Sequence, residues 1–387
     1  MTRKRILLFA FIAIFLTVVG RLFLNAPIAH IQFAAETVGS DIFGRWNITN
    51  SIIAAWLAMG VLALLAFLAT RKMQVVPGRM QNLAEASVGW VLGLAEDIGG
   101  KVNGRKFFPL VATLFFFIII ANWSSLIPVF GTIGKVESAE ELLEHGLEDI
   151  VDELNGELPT GAPHYKHHYK HGEPPPDAVA SKLRSKIGDD RLAIFDGDSG
   201  LRLLPVGFGK VKEIRMEEYW DFEHWEARTG TVVSGEKEVN IDGKTVGILL
   251  PFLRSMNTDL MNPLALAIIS MFMVQYWGIR ANGFSGYMSR FINFKGGPIG
   301  FAVGLLEGIS EIARLISFSF RLLGNMFAGE VLIFAFLFLL PVMAGVLIMP
   351  FLLEVFVGFI QAVIFAALTL IFASLAVESH GGEGASH

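Results

Sequence analysis

The sequence predicts an all-α polytopic membrane protein of about five to six membrane helices, the last two long and forming a hairpin, with an extracytoplasmic inserted α+β module. Three observations predict it. Of 387 residues, 53% are hydrophobic and only 17% are charged, a balance foreign to a soluble domain of this length. Apolar runs long enough to cross a bilayer, which takes about 20 residues, recur along the chain. Charge is also segregated: residues 135–253 hold 24 acidic and 14 basic side chains, whereas the remainder is net basic. There is no cysteine, which excludes disulfides and thiolate metal sites. No Gly-x-x-x-x-Gly-Lys-Ser/Thr run occurs, and no Gly-x-Gly-x-x-Gly follows a strand pattern. Nucleotide chemistry is therefore not expected on this chain, nor is a cofactor or a nucleic-acid partner.

The first four apolar runs lie at roughly 6–24, 51–70, 107–130 and 260–279. A longer tract, 298–378, is broken near Pro341 and Pro350 into two long helices joined by a turn. Basic flanks orient the spans. Arg3, Lys4 and Arg5 precede the first, and Arg71, Lys72 and Arg79 follow the second. Lys101, Arg105 and Lys106 precede the third, and Arg280, Arg290 and Lys295 follow the fourth. All fall on one side, so the N-terminus is expected inside, with residues 25–50 and the insert outside. Residues 1–24 read as an N-terminal membrane helix or signal segment, and the lack of a small-x-small cleavage site favours the helix. Residues 25–134 form a first membrane part. Within it, Gln81–Gly99 mixes Leu83, Val88, Trp90, Val91 and Leu94 with Glu85, Glu96 and Asp97, the pattern of an amphipathic helix on the cytoplasmic side, interfacial or packed. Residues 254–378 form the second membrane part, and 379–387 a flexible tail.

The acidic insert, 135–253, has two parts. Ser138 and Glu141 make a capping box that opens a helix with Leu142, Leu143, Leu147, Ile150, Val151 and Leu154 at helical spacing. From about Leu192 to Ile248, β-branched runs such as Thr231-Val232-Val233 alternate with turn pairs such as Asp242-Gly243, as in a small β-rich module. Between them lie His164, His167, His168 and His171, spaced as metal ligands on a helix would be. Interleaved lysines and the following Pro174-Pro175-Pro176 favour an exposed linker. Asp196 and Asp198 fit a hairpin turn better than a calcium loop. No metal site is expected.

The second membrane part carries the chemistry. Glu307, Ser310, Arg314, Ser317, Arg321 and Asn325 are spaced three, four, three, four and four residues apart, so one helix face holds all six. Helix-to-helix hydrogen bonding accounts for the serines but not for two arginines. A charge at bilayer depth costs at least about 2.5 kcal/mol on insertion scales, and so marks an ion pathway or a buried partner. Glu330, nine residues beyond Arg321, points to the opposite side of the helix. Glu354 and Gln361 share a face of the following helix, and folding back at the turn brings that face near Glu330. Two neighbouring carboxylates repel when both are ionised, so one is expected to hold a proton, as a carrier would.

The run from Ser317 to Glu330 closely resembles subunit a of the ATP synthases. Further resemblance lies in Asn50–Met80, in Arg105-Lys-Phe-Phe-Pro-Leu-Val-Ala-Thr-Leu-Phe on to Pro128, in Asn257-Thr-Asp259 to Arg280 with Gly286-Tyr287, and in Leu305-Leu-Glu307-Gly. Together these stretches cover about two thirds of the chain. The resemblance implies a stator subunit in the bacterial cell membrane. Such a subunit conveys protons through two half-channels to and from a carboxylate on a rotating ring of c subunits. Its further partners are the peripheral stalk of b subunits and, through them, the soluble ATP-synthesising head. The last two helices would then face the rotor ring.

By position, Arg321 matches the family's indispensable arginine, and Asn325, Glu330 and Gln361 match its channel-lining polar residues. Glu307, Ser310 and Arg314 resemble the cytoplasmic exit path, and Asp259 an acidic residue of the exported-side inlet. Glu354 stands where many bacterial members carry histidine. Mitochondrial members pair a carboxylate there with histidine at the Glu330 position, whereas this chain has carboxylates at both. The catalytic head would be another chain. A secondary transporter, the reading from a different class, usually shows internal repeats and broken helices in matching halves, and this sequence has no such symmetry.

Overall fold

The computed structural model describes residues 37–39, 48–127, 133–153, 175, 177–196, 201–203, 212–234, 237–291, 297–339 and 348–378. Their order is β1 (Thr37–Gly39), β2 (Ile48–Thr49), α1 (Asn50–Thr70), α2 (Arg79–Ser124), β3 (Ile133–Ser138), α3 (Ala139–Glu153), α4 (Asp177–Ile187), β4 (Arg191–Asp196), β5 (Leu201–Leu203), β6 (Lys212–Arg215), α5 (Met216–Tyr219), β7 (Trp220–Asp221), β8 (Glu226–Ala227), β9 (Thr231–Ser234), β10 (Lys237–Asn240), β11 (Lys244–Pro251), a 3₁₀ turn (Met256–Thr258), α6 (Met261–Asn282), α7 (Phe284–Phe291), α8 (Gly297–Leu339) and α9 (Ile348–Val377). The chain is mostly helical. Four described helices, α1, α2, α6 and α9, are long and apolar enough to cross a membrane. Two compact units are present, one holding residues 33–130, 253–332 and 349–387, the other centred on 131–252.

In the helical unit, α1 opens on Thr49, whose hydroxyl accepts the Ile52 amide at 3.4 Å. Its buried positions, Asn50, Ser51, Ala54, Ala55 and Ala58, are small and share one face. Trp56, Leu57, Leu64 and Phe67 stay exposed, as lipid-facing side chains do. The next helix differs from the expectation. The amphipathic segment and the third span are continuous in α2 except at Gly100, whose φ of 71° breaks the helix. There the chain folds back on itself. Ala95 comes so close to Gly104 that a Cβ at 104 would strike the Ala95 carbonyl, and Arg105 pairs with Glu96 at 2.6 Å. Trp90 lies 5.7 Å from Phe115. The amphipathic arm is therefore a packed helix, with Val91 and Ala95 fully buried. The helix also ends at Ser124, short of the expected 130. Ser124 and Ser125 hydroxyls donate to the Ala121 and Asn122 carbonyls and occupy the last acceptors.

The core of this unit joins α2, α6, α8 and α9 through Phe107, Val111, Ile118, Ala267, Val274, Phe318, Leu322, Phe365 and Leu370. Ala362, Ala366 and Ala373 let α9 approach its neighbours closely. Phe318 and Phe365 rings meet at 4.9 Å, and Ser270 bonds Thr369 at 2.8 Å. Pro350 is a correction. It sits inside the first turn of α9 and not in the connection, because a proline there removes only an amide that lacks a helical acceptor anyway. Pro341, residues 6–24, the 164–171 histidines, Asp198 and the tail 379–387 lie outside the described residues.

The second unit is built on a five-stranded antiparallel sheet in the order β5-β3-β11-β4-β6. The Ser138–Glu141 capping box is formed in both directions, at 3.2 and 3.1 Å. It starts α3, which buries Leu143, Leu147 and Ile150 in one cluster with Val179, Leu183 and Ile187 of α4. Trp220 and Trp225 complete that core, edge to face at 6.0 Å.

Candidate functional site

α8 runs unbroken from Gly297 to Leu339, so the six-residue polar stripe lies on one face of a regular helix. It borders the buried ridge of Phe318, Leu322 and Met326. On its other side the surface is exposed, with the small residues Ala313, Gly324 and Ala328 around the projecting ring of Phe320. Arg321 stands between these two zones, partly exposed. Its guanidinium donates to the Ser317 hydroxyl one turn earlier, at 3.3 Å. Among the described residues it has no carboxylate partner.

Below Arg321, Asn325 donates its side-chain amide to the Gln361 carbonyl oxygen at 2.5 Å, linking α8 to α9. Gln361 is buried, as is Glu354 two turns earlier on α9. The Glu354 carboxylate rests against Gly329, where a Cβ would displace it. Glu330 is the next residue of α8, and Arg254, itself buried, is the cation whose field acts on it. One oxygen of Glu330, one of Glu354 and the Gln361 amide nitrogen are buried without a protein hydrogen-bond partner. Groups of this kind are costly unless water or a proton satisfies them.

The segment that carries Glu354 is anchored from outside. Asn122 donates to the Gly358 carbonyl at 3.2 Å and accepts from Asn257 at 2.6 Å. The Trp123 indole donates to the Val355 carbonyl at 3.1 Å. Asp259 accepts from the Ser51 hydroxyl of α1 at 2.8 Å and from the Met261 amide at 3.2 Å. No bond joins it to Glu330 or Glu354 among the described residues.

At the N-terminal end of the stripe, Glu307 accepts from the Arg290 guanidinium of α7. Arg314 pairs with Glu311 at 2.6 Å and lies over the Phe372 ring of α9, 4.5 Å from its centre. Ser310 sits half-buried on the same face. Glu307 is thus not the anion of Arg314. Sequence reasoning missed Glu311 because it falls one position off the strict stripe, although it lies one turn from Glu307. Arg290 was read only as a flanking charge. The structure also places Ser51, Asn122 and Arg254 in the polar framework, none of which has a spacing signal.

Comparison with known proteins adds a family. The family described as the ATP synthase A chain matches residues 52–139 and 240–374, leaving 140–239 unmatched. A protein of Solidesulfovibrio magneticus named ATP synthase subunit a is 40% identical over 107 residues, which are 26% of this chain and 44% of that protein. A protein of the same name from Dinoroseobacter shibae is 43% identical over 99 residues, 24% of this chain and 40% of its own length. One from Desulforamulus reducens is 38% identical over 133 residues, 33% and 48% respectively. In each case the chain spans less than half the length of the relative it matches.

Proposed function

Because this chain belongs to the ATP synthase A chain family, we propose that it is the membrane stator subunit that conducts protons through two half-channels to and from a carboxylate on the c-ring, coupling ion flow to rotary ATP synthesis. The chain is an integral membrane protein. In this reading it sits in a bacterial cell membrane with the 135–253 insert on the extracytoplasmic side. Its partners are the c-ring, the b-subunit stalk and, through them, the soluble head.

One observation carries the reading: Arg321, whose described partner is a neutral hydroxyl, stands beside the small exposed residues Gly324 and Ala328. A helix from another chain packs closely on such residues, and a carboxylate on that helix then meets the guanidinium. A rotor carboxylate that has lost its proton is costly in lipid, and the charge-assisted contact with arginine offsets that cost. Arginine does not deprotonate at working pH. It therefore divides an inlet through Glu330, Glu354, Asn325 and Gln361, with Asp259 at its mouth, from an exit along Ser310, Glu307 and Arg314, and blocks a direct leak. Each charge crossing releases about 2.3 kcal/mol per 100 mV, so many carriers must pass one arginine to make one ATP.

Arg321→Ala is expected to abolish ATP-driven proton pumping in membrane vesicles while the complex still assembles. Near-normal coupled pumping would sink the assignment. A secondary transporter predicts instead a lone chain with solute-dependent uptake, and copurification of a rotor ring and soluble head separates the two.

A further inference from the structure

The N-terminal half of α8 presents two carboxylates one turn apart, Glu307 and Glu311, each with its own arginine. Charge balance is complete with those pairs, yet Glu311 has a second, more elaborate support. Its other oxygen accepts from the Gln275 amide of α6 at 3.1 Å, and the Gln275 carbonyl in turn accepts from the Tyr287 hydroxyl of α7 at 2.5 Å. Tyr287 is buried, with its ring against Gly278, where a Cβ would collide with it. Three helices thus converge to orient one carboxylate. The groups facing Glu311 are Gln275 of α6, Tyr287 and Arg290 of α7, and Glu307 and Arg314 of α8. From α9 comes Phe372, through Arg314.

From this convergence we infer that Glu311 is a second proton-carrying carboxylate in series with Glu307, and that Gln275 and Tyr287 are the positioning residues that hold it. The inference rests on the proton-channel reading. The step makes and breaks only O–H bonds: the carboxylate takes a proton from hydrated solvent on the channel side and returns it to water on the other. When Glu311 is neutralised, Arg314 keeps the face of Phe372 as a partner, so protonation does not strand a bare cation. Glu307 has its own cation in Arg290, which lets the two carboxylates change state separately.

The test uses the assembled complex in vesicles, with membrane-bound ATPase content as the assembly control and Arg321→Ala alongside. Glu311→Gln is expected to slow ATP-driven pumping roughly tenfold with assembly intact. Glu311→His should recover a substantial part of the rate with a pH profile moved toward imidazole, about 6.5. Wild-type rates in Glu311→Gln between about pH 6 and 9 would overturn the inference, as would equal losses in both variants with an unmoved pH profile, the mark of a structural ion pair. Should Glu311→Gln fail to assemble, Gln275→Leu leaves both ion pairs in place. Slowed pumping with a shifted pH profile then supports the inference, and an unchanged profile overturns it. Pumping by Arg321→Ala would instead remove the channel reading itself.

Discussion

Asn325 and Gln361 are joined by a 2.5 Å hydrogen bond across the α8–α9 interface, and Gln361 is buried, so little water can replace the bond if it is lost. Together with the Phe318–Phe365 ring contact, this bond sets the register of the two helices next to Arg321. It also makes the pair more than a polar lining.

Replacing Asn325 by Leu is therefore expected to destabilise the helix pair by about 0.6 to 2 kcal/mol, the range for side-chain bonds inside membranes. Gln361→Leu in the same background should add little, because the interaction is already gone. Denaturation in mixed micelles of the single and double variants measures the coupling; additive losses would show that the two act independently.

The Glu354 carboxylate packs against Gly329, the residue that precedes Glu330 on α8. Glu330→Gln and Glu354→Gln are each expected to slow proton transport by roughly an order of magnitude, and histidine at either site to restore part of it. Gly329→Ala moves only the end of a flexible side chain, so it should lower transport while leaving assembly near normal. Vesicle pumping rates normalised to complex content check all three, and unchanged rates in both Gln variants would take these carboxylates off the path.

Residues 140–239 fall outside the family match, and the proposed channel residues fall outside them. Joining Ser138 to Gly247 through a short Gly-Ser turn should preserve assembly and pumping. Loss of assembly would instead assign the module a partner in the complex.

In the same module the exposed His224 and the half-buried Asp221 form a 3.1 Å pair at a turn. The Glu223 amide, the His224 ring and the His224 amide hold Asp221 below its ordinary 3.8. The bond to Asp221 raises His224 above its ordinary 6.5. The aspartate contribution is present above the ordinary carboxylate value and lost as pH falls through the depressed one. The histidine contribution is full below 6.5 and lost as pH rises through the raised value. Protection of the Glu223 and His224 amides from hydrogen exchange, corrected for intrinsic rate, should peak between those limits. His224→Ala should abolish the alkaline decline alone.

The polar stripe was legible because a helix turns sequence spacing directly into a face: six residues sufficed to align Glu307 through Asn325. Contacts between helices were not. Nothing in spacing says that Gly329 meets Glu354, that Glu307 chooses Arg290 over Arg314, or that Asn122 reaches the Gly358 carbonyl, since each depends on the relative slide of two elements. The reversal at Gly100 was hidden for another reason. A glycine within a helical pattern reads as a tolerated defect, and only the close fit of Ala95 to Gly104 reveals the turn.

The first and last strands of the sheet pair with each other, Ser138 opposite Gly247 and Gly134 opposite Pro251. They fall inside the family match, whereas the hundred residues between its two segments do not. An excursion bounded in this way returns the chain to within about 4.8 Å of its departure point. Lineages can therefore gain, lengthen or discard such a segment as a genetic cassette without re-threading the flanking helices, which frees the module to diverge at its own pace while the membrane sequence stays under separate selection.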